Sequence, residues 1–224
     1  MIDVLYEDNH IIAVNKKPSD IVQGDKTGDT PLSEYVKDFL VEKYQKKGHA
    51  FLGVVHRLDR PVSGVVVFAK TSKALSRLNQ LFREKNVKKT YWAVVKNKPP
   101  KTSDTLIHFL LKNQVKNKSF AFLREEKKAL RSELSYKLLK SLERYYLLEV
   151  NPKTGRHHQI RVQLSKIGCP IKGDLKYGFD RSNKNASIHL HARSIEFIHP
   201  IKKEAICIIA PTPEDNIWLA CEKN

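Results

Sequence analysis

The segment Gly64-Val65-Val66-Val67-Phe68-Ala69 is apolar throughout, rich in β-branched residues and free of alternation. Such a run reads as a central strand, Val65 to Phe68, covered on both faces. The chain therefore has to build a sheet with packed layers around this strand. Directly before it stands His56-Arg57-Leu58-Asp59-Arg60-Pro61-Val62-Ser63, with three charges in four residues. A carboxylate beside a buried strand is costly unless a cation pairs with it. Arg57 and Arg60 are candidate partners, as is a basic group brought in from elsewhere. An isolated R-x-D-R reads equally as a surface loop whose charges satisfy one another.

The remaining elements follow from pattern. Ile11-Ile12-Ala13-Val14 is a short strand closed by the turn Asn15-Lys16-Lys17-Pro18. Thr30 can cap a helix with Pro31 at its first position, and Leu32, Tyr35, Val36, Phe39 and Leu40 form its apolar face. A second helix starts at Thr71 or Ser72 and buries Leu75, Leu78 and Phe82. Strands resume over Thr90–Val95. From Leu130 to Leu138 apolar residues alternate with polar ones, a half-buried strand paired with Tyr145–Val150. Asn151-Pro152-Lys153-Thr154-Gly155 breaks the chain before a third helix carrying Ile160, Leu164 and Ile167, which Gly168 terminates. Ile188–Ile198 and Ala205–Ile209 close the chain as strands. Strands outnumber helices and follow one another by short turns, which makes this one α+β domain on a largely antiparallel sheet.

Composition narrows the partners. The chain of 224 residues carries 41 basic and 24 acidic side chains, a formal charge of +17. The excess is dispersed along the chain, as suits a polyanion that rewards phosphate neutralisation. No apolar run approaches the ~20 residues of a spanning helix, and the acidic start has no basic n-region of a signal peptide. Cys169, Cys207 and Cys221 are odd in number and widely spaced, with neither a disulfide framework nor C-x-x-C metal spacing. A reducing cytoplasm fits them. His157-His158 and His189-x-His191 lack a third ligand and read as basic-pocket or core histidines, so no metal site is expected. Asp174, in Lys172-Gly173-Asp174, reads as fixing a turn. No helix-turn-helix or zinc-finger pattern supports DNA binding.

The string His56 to Gly64 resembles the H-R-L-D-x-x-T-S-G signature of the RluA-type pseudouridine synthases. Lys89-Thr90-Tyr91-Trp92-Ala93-Val94-Val95 looks like that family's K-x-Y-x-A-x-V strand. Thr154-Gly155-Arg156-His157-His158-Gln159-Ile160-Arg161-Val162-Gln163-Leu164 is similar to T-G-R-T-H-Q-I-R-V-H-L, and Gly168 to Gly178 matches G-x-P-I-x-G-D-x-x-Y-G. Leu190-His191-Ala192 and His199-Pro200 also look like the family. The resemblance runs in order from about Val4 to Pro213. Departures are Val62 and His157, where threonines are usual, and Lys17-Pro18-Ser19-Asp20 in place of Pro-Ala-Gly.

The resemblance implies a single pseudouridine-synthase-type catalytic domain over residues 1–224, a bent, largely antiparallel β-sheet flanked by helices and loops, without an N-terminal S4-like domain. It implies isomerisation of uridine to pseudouridine in structured RNA, a tRNA or rRNA stem-loop, with no cofactor. Asp59 is then the catalytic carboxylate, Tyr91 stacks on the uracil, Arg161 pairs with Asp59, and Ile160 packs under the base. Arg57 occupies the space of the extruded uridine or clamps a phosphate, and His56, Arg60, Arg156 and His158 are further RNA contacts. A monomer is expected, with neither membrane nor DNA as partner. The alternative is a non-catalytic RNA-binding or ribosome-assembly protein on the same fold. Intact Asp59, Tyr91 and Arg161 argue against it, because pure phosphate binding does not need a carboxylate.

Overall fold

The computed structural model describes residues 2–25 and 27–223. In chain order the first elements are β1 (Val4–Glu7), β2 (Ile11–Lys16), α1 (Leu32–Lys43), β3 (Gly53–Val54), β4 (Ser63–Ala69) and α2 (Ser72–Arg83). Then come β5 (Val87–Val95), β6 (Ser103–Asn113), β7 (Lys118–Phe122), β8 (Leu130–Ser141), β9 (Tyr146–Pro152) and α3 (Gln159–Lys166). A 3-10 turn (Leu175–Tyr177), β10 (Leu190–Ile198), β11 (Ala205–Ile209) and α4 (Asn216–Glu222) complete the chain. The α+β class read from the sequence holds.

The chain forms two compact units. The first holds the chain up to Lys89 together with Ala192–Pro213. Its strands run β1-β2-β4-β10, with β3 on β4 and β11 on β10. β1–β2, β2–β4 and β10–β11 pair antiparallel. All seven residues of β4 are buried, which is the central strand its composition demands. Gly64 opens it at φ +116°, and a Cβ there would lie 2.3 Å from the Ala192 carbonyl oxygen. Only glycine allows β10 to approach this closely. α2 begins as expected: Thr71 accepts the Ala74 amide on its side chain. α1 begins one step later than its sequence suggests. Pro31 is the extended N-cap itself, Leu32 is the first helical residue, and Thr30 does not cap.

The second unit comprises Thr90–His191 and the chain from Glu214 on, with strand order β5-β9-β8-β6-β7, each pairing antiparallel. Two apolar clusters hold it. Trp218 and Cys221 of α4 pack on Val94 and Leu147. Val162 of α3 packs with Leu110 and Tyr177. Lys140 fastens the far end of α4 by donating to the carbonyls of Ala220 and Lys223. The β6–β7 hairpin and α4 were not anticipated from the sequence.

Candidate active site

In the first unit the segment from His56 to Val62 alternates inward and outward. Leu58 and Val62 are buried, Arg57 and Arg60 exposed, and Asp59 half-buried between them. His56 turns inward: its Nε2 accepts the Val67 amide at 3.0 Å and its ring stacks on Phe82 at 4.9 Å. Burial, with Lys89 nearby, pushes its pKa down to about 3. His56 is thus a neutral acceptor that fastens the loop to β4. The Val62 amide closes a turn on the Asp59 carbonyl at 3.0 Å. Arg60 pairs with Asp29.

Lys16 holds this turn from below. Its side chain is buried, and Nζ donates to the carbonyls of Lys17, Arg60 and Val62 at 2.9, 3.1 and 2.6 Å. Burial pushes its pKa down to about 8, against the attraction of Asp20 and Asp59 and with the repulsion of Arg60. The sequence reading missed this residue. The signal was available in the period-two pattern of β2, which places Ile12, Val14 and Lys16 on one face. Replacing Lys16 by methionine leaves three carbonyls without their donor, a loss of roughly 3 kcal/mol. The expected result is a melting temperature lower by ~5–10 °C, and an unchanged calorimetric melt would contradict it.

In the second unit Tyr91 lies on β5 opposite Val150 of β9, half-buried. The segment leading into α3 is bound by its own side chains. Gln159 Oε1 accepts from Thr154 Oγ1 at 2.8 Å and from the Arg156 amide at 3.0 Å, while its Nε2 donates to the Glu133 carbonyl. His158 caps the helix in the left-handed region, φ 54°. It is buried, its Nδ1 lies 2.8 Å from Tyr177 Oη, and its pKa is pushed down to about 2 by burial and then by Arg161. Arg156 is exposed and Ile160 buried.

Arg161 is buried and forks onto Asp174: Nε to Oδ2 at 2.7 Å and Nη2 to Oδ1 at 2.8 Å. Its guanidinium lies 5.1 Å from the Tyr177 ring centre. The role of Asp174 therefore exceeds the turn it was expected to fix. Partners thirteen residues apart, one on a helix and one on a tight turn, leave no periodic trace in sequence.

Residues 10–166 match the family model described as RNA pseudouridylate synthase, well over half of the chain. The chain belongs to that family. Pseudouridylate synthases of this family are isomerases that convert uridine to pseudouridine within RNA, and the RluA-type motifs place this chain among them. Relatives include the ribosomal large subunit pseudouridine synthase C of Buchnera aphidicola subsp. Acyrthosiphon pisum, 35% identical over 219 residues that cover 95% of this chain and 68% of that one. The tRNA pseudouridine synthase C of Haemophilus influenzae is 33% identical over 232 residues, 96% of this pseudouridylate synthase and 94% of the relative. Among solved structures, human RNA pseudouridylate synthase domain containing 4 superposes with a TM-score of 0.79 at 23% identity, over 97% of this chain and 90% of that one. That likeness shows the fold.

Proposed function

We propose that this pseudouridine synthase acts on a structured tRNA or rRNA element, with Asp59 as the catalytic carboxylate and Tyr91 and Arg161 as further residues of the reaction. Relatives named for each RNA class match nearly the whole chain, which supports both as substrates. The observation that carries the assignment of Asp59 is the loop itself. Leu58 and Val62 beside it are buried, Lys16 braces the turn through main-chain carbonyls, and Asp59 itself is half-buried. Such a presentation suits a group that must touch substrate.

The reaction breaks the N1–C1′ bond, turns the uracil and joins C5 to C1′, leaving the atoms of the nucleoside unchanged. It needs an ionised carboxylate, to attack the sugar or base or to take a sugar proton. A stacked uridine must first be extruded, at a cost of a few kcal/mol. The exposed Arg57, two residues from Asp59, is placed to clamp a phosphate or fill the vacated space. Arg156, exposed ahead of α3, serves as a further phosphate contact. Mapping pseudouridines in total RNA from cells with and without the gene tests the substrate class. A site lost in tRNA or rRNA on deletion supports the proposal; identical maps overturn it.

A further inference from the structure

The fork between Arg161 and Asp174 changes what the arginine can do. A carboxylate bonded to two guanidinium nitrogens cancels most of the field of that cation, so this arrangement is poorly suited to supplying bare charge. Direction is what it supplies, because two parallel bonds fix the guanidinium plane. The surroundings fix it further. The Tyr177 ring lies beside the guanidinium, and Tyr177 Oη is itself held, accepting the Ser119 amide at 2.8 Å and meeting Nδ1 of His158 at 2.8 Å. Two contacts of Oη, one on each neighbouring element, hold the phenol in place whichever ring nitrogen of His158 carries the proton.

The backbone under Asp174 is equally determined. Gly173 has φ +86°, and a Cβ there would meet the Asn183 side chain at 2.7 Å and the Ser187 carbonyl at 2.8 Å. The Asp174 amide donates to Ile171 and its carbonyl accepts from Tyr177. The stretch Gly173-Asp174-Leu175-Lys176-Tyr177 is thus a clamp with one side chain on the edge of the guanidinium and another beside its plane.

Resting on the functional reading above, we infer that Asp174 and Tyr177 are positioning residues of the isomerisation. They act through Arg161, which works as an aimed hydrogen-bond donor rather than as a charge. The two roles predict opposite results. Asp174→Asn removes the charge that cancels the field of Arg161, so a charge role predicts an equal or faster reaction. Aim predicts a slower one, by about 100-fold for a displacement near 1 Å.

The test is single-turnover tritium release from bulk tRNA and rRNA labelled at uridine C5. It is run on wild type, Asp174→Asn, Arg161→Met and the double variant, beside RNA affinity and a thermal melt. The expected result is a slow Asp174→Asn with affinity near wild type, and no further loss from Asp174→Asn in the Arg161→Met background. Tyr177→Leu carries the same cycle should Asp174→Asn fail to fold. A rate at or above wild type overturns the inference, as does an equal loss in both backgrounds, which marks a merely structural residue. A wild-type enzyme that releases no tritium from either RNA retires the functional reading, and this one with it.

Discussion

Asp59→Asn abolishes pseudouridine formation and leaves the protein folded. The amide is nearly isosteric with the carboxylate but can neither attack a sugar or base nor take a proton. The fold is not at stake, because the turn at Asp59 is held through main-chain atoms: the Val62 amide bonds the Asp59 carbonyl, and Lys16 bonds the carbonyls of Arg60 and Val62. RNA affinity stays level or rises slightly, since one negative charge is lost near phosphates. The measurement is tritium release by the purified variant alongside its melt and RNA affinity. Turnover within tenfold of wild type would remove Asp59 from the chemistry.

Acid destabilises this protein early, beginning just below pH 6.5. The pKa values of His56 and His158 lie at about 3 and about 2, both pushed down chiefly by burial of the ring. Burial also lowers His108 and His199. In the unfolded chain each takes a proton near pH 6.5. Between those values the unfolded state binds more protons than the native one, so stability falls as pH falls. Each of the two strongly shifted histidines contributes at most ~1.4 kcal/mol per pH unit, or roughly 5 kcal/mol together between pH 6.5 and 4.5. That is comparable with the whole stability of an ordinary domain. Carboxylates act later. At Glu7 burial opposes the charged form, but hydrogen bonds from Lys43, Lys70 and Tyr44 outweigh it and set a pKa of about 2. Its contribution is lost only as pH drops below the ordinary carboxylate value, toward 2. Urea midpoints at pH 7.5, 6, 5 and 4.5 test this, with His56→Gln and His158→Asn each flattening the slope. A midpoint constant from pH 7.5 to 5 contradicts it.

What could be read from the sequence was local. The β4 run, the start of α2 at Ser72 and the Gly168 stop, at φ +80°, each rest on a few adjacent residues, and all three stand. β6 escaped because its pattern is inverted at the centre: Ile107 is 45% exposed while His108 is buried against Gln163. A polar residue inside and an apolar one outside erase the alternation that identifies a strand. α4 has only seven residues, and Asp215, which caps it through the Ile217 and Trp218 amides, gave the one clue. Arg57, Asp59 and Tyr91 were named from motifs, and each is exposed or half-buried. Lys16, which braces the turn at Asp59, and Asp174, which forks onto Arg161, were not read that way, because they act through buried polar bonds to partners distant in sequence. A buried lysine runs against composition rules, and only its three carbonyl acceptors explain it.

The path of the chain through the two units bears on how the protein is made. The first unit takes β11 and most of β10 from Ala192–Pro213, and the second takes α4, with Trp218, from beyond Glu214. During synthesis the ribosome therefore exposes a first unit lacking two of its strands, and the second lacks its α4 until residues 216–222 emerge. Domains on a nascent chain ordinarily finish one after another. Here both wait on the same late segment, so a stall or cleavage after about residue 190 leaves neither unit whole. Late truncation products should accordingly reach proteases or chaperones as unfolded chain rather than as a stable half enzyme.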